Sequence, residues 1–142
     1  MDKHKRLEKY LKGLDIDREY LAYLKKQLEL MEYEYGLTGI TYGGIPSGNI
    51  SDTTGNQAAN IADNKIDLEL RIKRLEIEID HIDNLIEQLT DKEQIIIKLY
   101  YFKPYKPIWY IQQQIHHSKE QTLRIKSAAL DKLIRGMYGE RQ

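Results

Sequence analysis

Residues 65–89, KIDLELRIKRLEIEIDHIDNLIEQL, repeat their aliphatic side chains every seven positions, and no other feature of the chain constrains its fold as tightly. Ile72, Ile79 and Ile86 take the first position of the heptad, and Leu68, Leu75, Ile82 and Leu89 take the fourth. Ile61 and Lys65 carry the register one turn further toward the N-terminus. Spacings of three and four place these residues on one stripe of a helix that must be buried. Mostly β-branched residues at the first position with mostly leucine at the fourth match the preference of a two-stranded parallel coiled coil. An antiparallel hairpin within one chain buries the same stripe equally well, and the register does not choose between a homodimer and a hairpin. The acidic residues between the aliphatics form the solvated face.

The partner helix for a hairpin is present upstream. In residues 1–35, Leu7, Leu14, Leu21, Leu28 and Tyr35 recur at intervals of seven, with Tyr10, Leu24 and Met31 three residues after members of that row. This is a second amphipathic helix, with Gly13 as a weak point where it is expected to break or restart, since glycine costs about 1 kcal/mol relative to alanine in a helix. Between the two helices, residues 36–55 hold six of the nine glycines and keep no helical or strand period, so a loop is expected there. That segment lacks the Gly-x-x-x-x-Gly-Lys-Ser/Thr spacing of a phosphate-cradling loop. Thr54 with Gln57 is a candidate capping box for the helix that covers residues 56–89.

Composition narrows the class. With no cysteine there is neither a disulfide nor a thiolate metal site, which suits a reducing compartment. The N-terminus lacks the apolar run of a signal peptide, and no stretch reaches the roughly 18 apolar residues of a membrane span, so the expectation is a soluble cytoplasmic protein. The net charge of zero hides a split. Residues 1–89 carry 12 Lys+Arg against 17 Asp+Glu, and residues 90–142 carry 10 against 5. Polyanion binding therefore belongs to the C-terminal part.

Residues 90–142 read as three short helices. Thr90 followed by Glu93 is a capping box opening DKEQIIIKLYYF. KPYKP then interrupts the chain, and Pro107 suits the first turn of a new helix, IWYIQQQI, in which Ile108, Ile111 and Ile115 make a buried stripe with Trp109 at its edge. After the turn HHS, Ser118 with Gln121 caps a third helix whose inner face is Thr122, Ile125, Ala129 and Leu133. Helix, short turn, helix is the sequence form of a helix-turn-helix. The inner stripe then leaves Lys119, Glu120, Gln121, Leu123, Arg124, Lys126 and Ser127 on outer or flanking faces. Lys and Arg pair with phosphates or guanine edges, and Gln or Glu with adenine or cytosine edges, so these seven are the candidate DNA-binding residues. A three-helix bundle with merely solvated basic residues is the plainer reading of the same pattern.

The stretch from Leu89 to Leu133 resembles region 4 of bacterial sigma factors. The matching pieces are Glu93, Ile111, Ser118, Ile125, Ala129, Leu130 and Leu133. Over the whole chain, the order of N-terminal helix, glycine-rich linker, long helix and sigma-like C-terminus is similar to the phage RinA/ArpU group of late-gene transcriptional activators. The resemblance implies an activator in the bacterial host cell that binds double-stranded promoter or operator DNA and works with the host RNA polymerase. By motif its reading positions fall on Lys119, Glu120, Leu123 and Arg124. Two positions depart from the sigma pattern: Thr122 replaces the usual aliphatic, and Leu123 stands where a basic residue is usual. No sigma region 2 is recognisable, so promoter melting by this chain alone is not expected.

The expected architecture is thus all-α: a long N-terminal helical hairpin or coiled coil joined to a C-terminal three-helix helix-turn-helix domain. An enzyme is the weakest alternative. His4 sits in a basic tail, His81 lies on the heptad helix, and His116 and His117 diverge from a turn with no ligand-spaced carboxylate or cysteine beside them. Neither a catalytic set, nor a metal site, nor a cofactor is expected. Two non-enzymatic alternatives remain, a small-terminase-like DNA-packaging subunit and a coiled-coil adaptor that binds only protein.

Overall fold

The structure, a computed structural model, describes residues 2–43 and 51–139, and the side-chain surroundings of residues 2–36 and 62–139. All regular structure among these residues is helical, as the periodicities require: α1 (Lys3–Gly43), α2 (Ser51–Glu87), α3 (Asp91–Tyr101), α4 (Ile108–Ile115) and α5 (Lys119–Tyr138).

Three sequence expectations are corrected here. Helix α1 runs through Gly13 without a break. Leu7, Leu11 and Leu14, all fully buried, flank that glycine, and their burial outweighs its roughly 1 kcal/mol propensity cost. The glycine-rich stretch 36–55 is helical at both ends, because α1 continues to Gly43 and α2 already begins at Ser51. Once a helix is nucleated each further residue adds a backbone hydrogen bond, so long helices extend into poor sequence. The Thr54–Gln57 pair consequently lies inside α2 rather than at its start. The middle of the expected loop, 44–50, lies outside the described residues.

The chain forms two compact units, and their boundaries cut both long helices instead of falling at helix ends. One unit is Glu19–Glu76; the other joins Met1–Arg18 to Ile77–Gln142.

In the first unit α1 and α2 lie antiparallel. Leu24, Leu68 and Ile72 form its buried centre, with Leu21, Leu28, Met31 and Leu75 packed around them. Lys25 pairs with Glu76 at 3.2 Å and Lys65 with Glu32 at 3.9 Å, so residue numbers rise along one helix as they fall along the other. The heptad stripe therefore finds its partner within the chain here. The outward sides of this hairpin carry apolar residues of their own, with Tyr20, Tyr23, Leu30 and Tyr33 exposed on α1 and Ile66 and Leu70 on α2.

The second unit buries the rest of the stripe, Ile79, Ile82, Ile86 and Leu89, together with Leu7, Leu11 and Leu14. Arg18 grips Asp83 through both terminal guanidinium nitrogens. Burial, then the charges of Glu78, Asp17 and Asp83, push the Tyr10 hydroxyl up to about 12. Helix α3 starts at a complete capping box: Thr90 Oγ1 accepts from the Glu93 N–H at 3.3 Å, and the Thr90 N–H donates to Glu93 Oε1 at 3.0 Å. The same Glu93 carboxylate, nearly enclosed, accepts from Lys132 of α5 at 2.8 Å. One acidic residue thus caps α3 and ties it to α5.

The three C-terminal helices share one apolar centre. Ile96, Ile111 and Ile115 are its buried members, with Leu99, Tyr100, Ile108 and Ile125 against them. Gly136 marks a close approach of α5 to α2, since a Cβ there would collide with the Leu85 side chain. His81 Nε2 donates to the Gly136 carbonyl at 3.0 Å across the same contact.

Candidate nucleic-acid interface

The connection between α4 and α5 is the three-residue turn 116–118. His116 adopts the left-handed conformation (φ 58°, ψ 46°) that ends a helix, and the His117 N–H closes the turn on the Gln112 carbonyl at 3.2 Å. Glycine is the usual occupant of such a position, because a Cβ there meets the following carbonyl. Ser118 then caps α5, its hydroxyl accepting from the Gln121 N–H at 3.2 Å. This is half of the capping box expected from the sequence. The other half is absent because the Gln121 side chain is engaged by His117, whose Nδ1 lies 2.9 Å from Gln121 Oε1. Lys92 Nζ lies 2.8 Å from His117 Nε2. An ammonium only donates, so Nε2 is the acceptor of this contact and Nδ1 faces Gln121 Oε1 as the donor. His117 is therefore a strut from α3 through the turn to α5, which answers why two histidines stand together: one bends the chain and the other braces the bend.

Helix α5 divides its residues between two sides. Thr122, Ala129, Leu130, Leu133 and Ile134 are buried, and the Thr122 hydroxyl donates back to the Ser118 carbonyl at 2.8 Å. Thr122, expected on the inner face, is accommodated in the core because its hydroxyl is satisfied within the first turn. Ile125 is half-buried against the isoleucine cluster. Lys119, Glu120, Gln121, Leu123, Arg124 and Ser127 are exposed, so six of the seven candidate residues share the open side of the first turns.

The seventh, Lys126, is placed differently. Its ammonium sits 4.0 Å from the centre of the Tyr100 ring and 5.5 Å from that of Tyr101, turned toward α3. It lies at the edge of the open side and is held there by cation–π attraction. Arg124 pairs with Glu120 at 2.8 Å, but both side chains are about three-quarters exposed (75% and 76%). A solvated pair of this kind on one helix face contributes about 0.3–0.5 kcal/mol, so a phosphate or a base edge can displace either partner at little cost.

Sequence reasoning missed two contributors. Lys92 braces the turn from α3, a contact between residues 25 apart that no local spacing reveals. The connection between α3 and α4 is held on α1, where the Lys103 N–H donates to Asp15 Oδ2 at 3.0 Å. This brings Lys12 of α1 beside Tyr100, Tyr105 and Lys106. Trp109, expected at the edge of the α4 stripe, is largely exposed, with its ring edge-on to Tyr110.

Among the described residues, no group of three or more His, Cys, Asp or Glu is arranged to hold a metal ion, and no helix is long and apolar enough to cross a membrane. No protein-family model, curated protein or solved structure matches the chain.

Proposed function

We propose that this chain is a double-stranded DNA-binding transcriptional activator of phage or prophage late genes, with α5 as the helix that enters the major groove. One observation carries the reading. The first turns of α5 present Lys119, Glu120, Leu123, Arg124 and Ser127 together on an open side, while the opposite side is fixed on α3 and α4 through a capped three-residue turn. In helix-turn-helix docking the early residues of the second helix meet base edges and the preceding helix crosses the phosphate backbone. Arg124 and Lys119 supply donors for guanine or phosphate, Glu120 an acceptor for cytosine, and Leu123 an apolar contact for the thymine methyl group. The similarity to sigma region 4 and to the RinA/ArpU group supports placing that DNA at promoters, with the host RNA polymerase as the second partner. Leu123 stands at a position usually basic in sigma factors, so the sigma element is not assumed to be the site read.

Footprinting on DNA flanking the late genes, followed by run-off transcription with and without the protein, tests the reading in one assay. The expected outcome is protection beside a promoter and a stimulated transcript. Protection without stimulation would favour a packaging subunit, a reading to which the exposed Tyr20, Tyr23, Leu30, Ile66 and Leu70 of the hairpin lend support as an assembly surface.

A further inference from the structure

A second basic feature lies in the same compact unit as α5, away from its open side. Lys12 of α1, Tyr100 of α3, and Tyr105 and Lys106 of the α3–α4 connection line an open cleft of about 380 Å³. The cleft is built rather than incidental. Asp15, one turn beyond Lys12, takes the Lys103 N–H, and the Lys106 N–H is fixed on the Leu99 carbonyl at 2.8 Å. Neither lysine is paired with a carboxylate among the described residues, whereas Lys25, Lys65 and Lys132 all are. The Lys106 ammonium rests over the Tyr110 ring, 5.0 Å from its centre.

One wall of the cleft, the Tyr100 ring, also borders α5. Lys119, Leu123 and Lys126 succeed one another at spacings of four and three, so they share one edge of that helix. The Tyr100 ring under Lys126 is itself a wall of the cleft. Tyr100 thus has Lys126 of α5 over its ring and Lys12 and Lys106 beside it in the cleft. Lysines without carboxylate partners, interleaved with aromatic side chains, suit the negatively charged backbone of a nucleic acid.

We propose that Lys12 and Lys106 form a second phosphate contact, so that the N-terminal helix itself takes hold of the DNA backbone beside the groove read by α5. This rests on the DNA-binding reading above and extends it to a helix that belongs to no helix-turn-helix. The ligand is a phosphodiester. A free phosphorylated small molecule offers the same chemistry and is separated in the test.

The test is the salt dependence of affinity for a duplex carrying the selected site and for a scrambled duplex, using full-length protein. Each phosphate neutralised contributes about 0.9 to the slope of log K against log salt, equivalent to roughly a fivefold affinity change near 0.15 M salt. Lys12→Gln and Lys106→Gln are each expected to lower the slope by about 0.9 and to weaken both duplexes by the same factor. Lys12→Arg is expected to restore the slope, and Lys26→Gln, in the other unit, to leave it unchanged. Circular dichroism verifies that each variant keeps its helix content. If the wild type binds duplex while the Gln variants keep its slope, the cleft proposal is overturned and the DNA reading stands. A wild type that binds no duplex at low salt removes both. A third arm follows Trp109 fluorescence with inorganic pyrophosphate: loss of that response in the Gln variants, with duplex slopes unchanged, would assign the cleft to a small phosphorylated ligand and overturn the backbone contact.

Discussion

His116 and Glu93 show how single residues shape the turn and the unit around it. His116 holds φ at 58°, a conformation costing a non-glycine residue about 1–2 kcal/mol, and its exposed side chain gives nothing visible in return. His116→Gly is expected to raise stability by about 0.5–1 kcal/mol in urea unfolding while leaving DNA affinity intact. A loss of affinity in that variant would give the imidazole a role in contact. For Glu93, burial opposes ionisation, but the Lys132 ammonium and the Thr90 backbone and hydroxyl outweigh it and hold the carboxyl below its ordinary value. A carboxylate depressed in the folded state stabilises above its unfolded pKa and loses that contribution as pH falls through the folded one. The stability gap between wild type and Glu93→Gln is therefore expected to be full above about pH 4.3 and to close with further acidification. Urea unfolding of both proteins between neutral pH and pH 3 measures it, and a gap independent of pH would contradict the assignment.

At the scale of elements, α5 is the clearest case of a helix readable from sequence. Its cap Ser118, its inner residues Thr122, Ala129 and Leu133, and its outward Lys119, Leu123 and Arg124 all lie where the spacing puts them. The boundary of α3 was equally legible, because a Thr-x-x-Glu box is a local signal with a local cause. What stayed hidden depends on tertiary approach. Lys126 counts by spacing as a flanking residue, but Tyr100 captures its ammonium. Gly136 looks like an unremarked glycine until Leu85 is found against it. Gly136→Ala improves helix propensity by about 1 kcal/mol, and the contact is with the end of a half-buried leucine side chain, so the net change in urea unfolding is expected to stay within about 1 kcal/mol. A larger loss would mean that Leu85 does not yield to the added methyl group.

For the whole molecule, the heptad stripe of α2 was legible as a stripe but not as a choice of partner. Its register fits two chains as well as one, and only the pairing of Leu68 and Ile72 with Leu24, supported by Lys25–Glu76 and Lys65–Glu32, places the partner within the chain. Leu75→Asp is accordingly expected to lower the unfolding temperature without changing the mass seen by light scattering; a halved mass would put the stripe between chains. The start of α1 was hidden for a related reason. The charge split at residue 89 assigns Lys5, Lys9 and Lys12 to an acidic front, while the fold gathers residues 1–18 into the unit that holds α5. Whether α5 reads DNA is tested most directly by selecting binding sites from a random duplex library with the wild type and with Arg124→Ala. The wild type is expected to enrich one motif and the variant, with its helix content unchanged, to lose preference at defined positions of it; no enriched motif, or the same motif from both proteins, would contradict α5 as the helix that reads DNA.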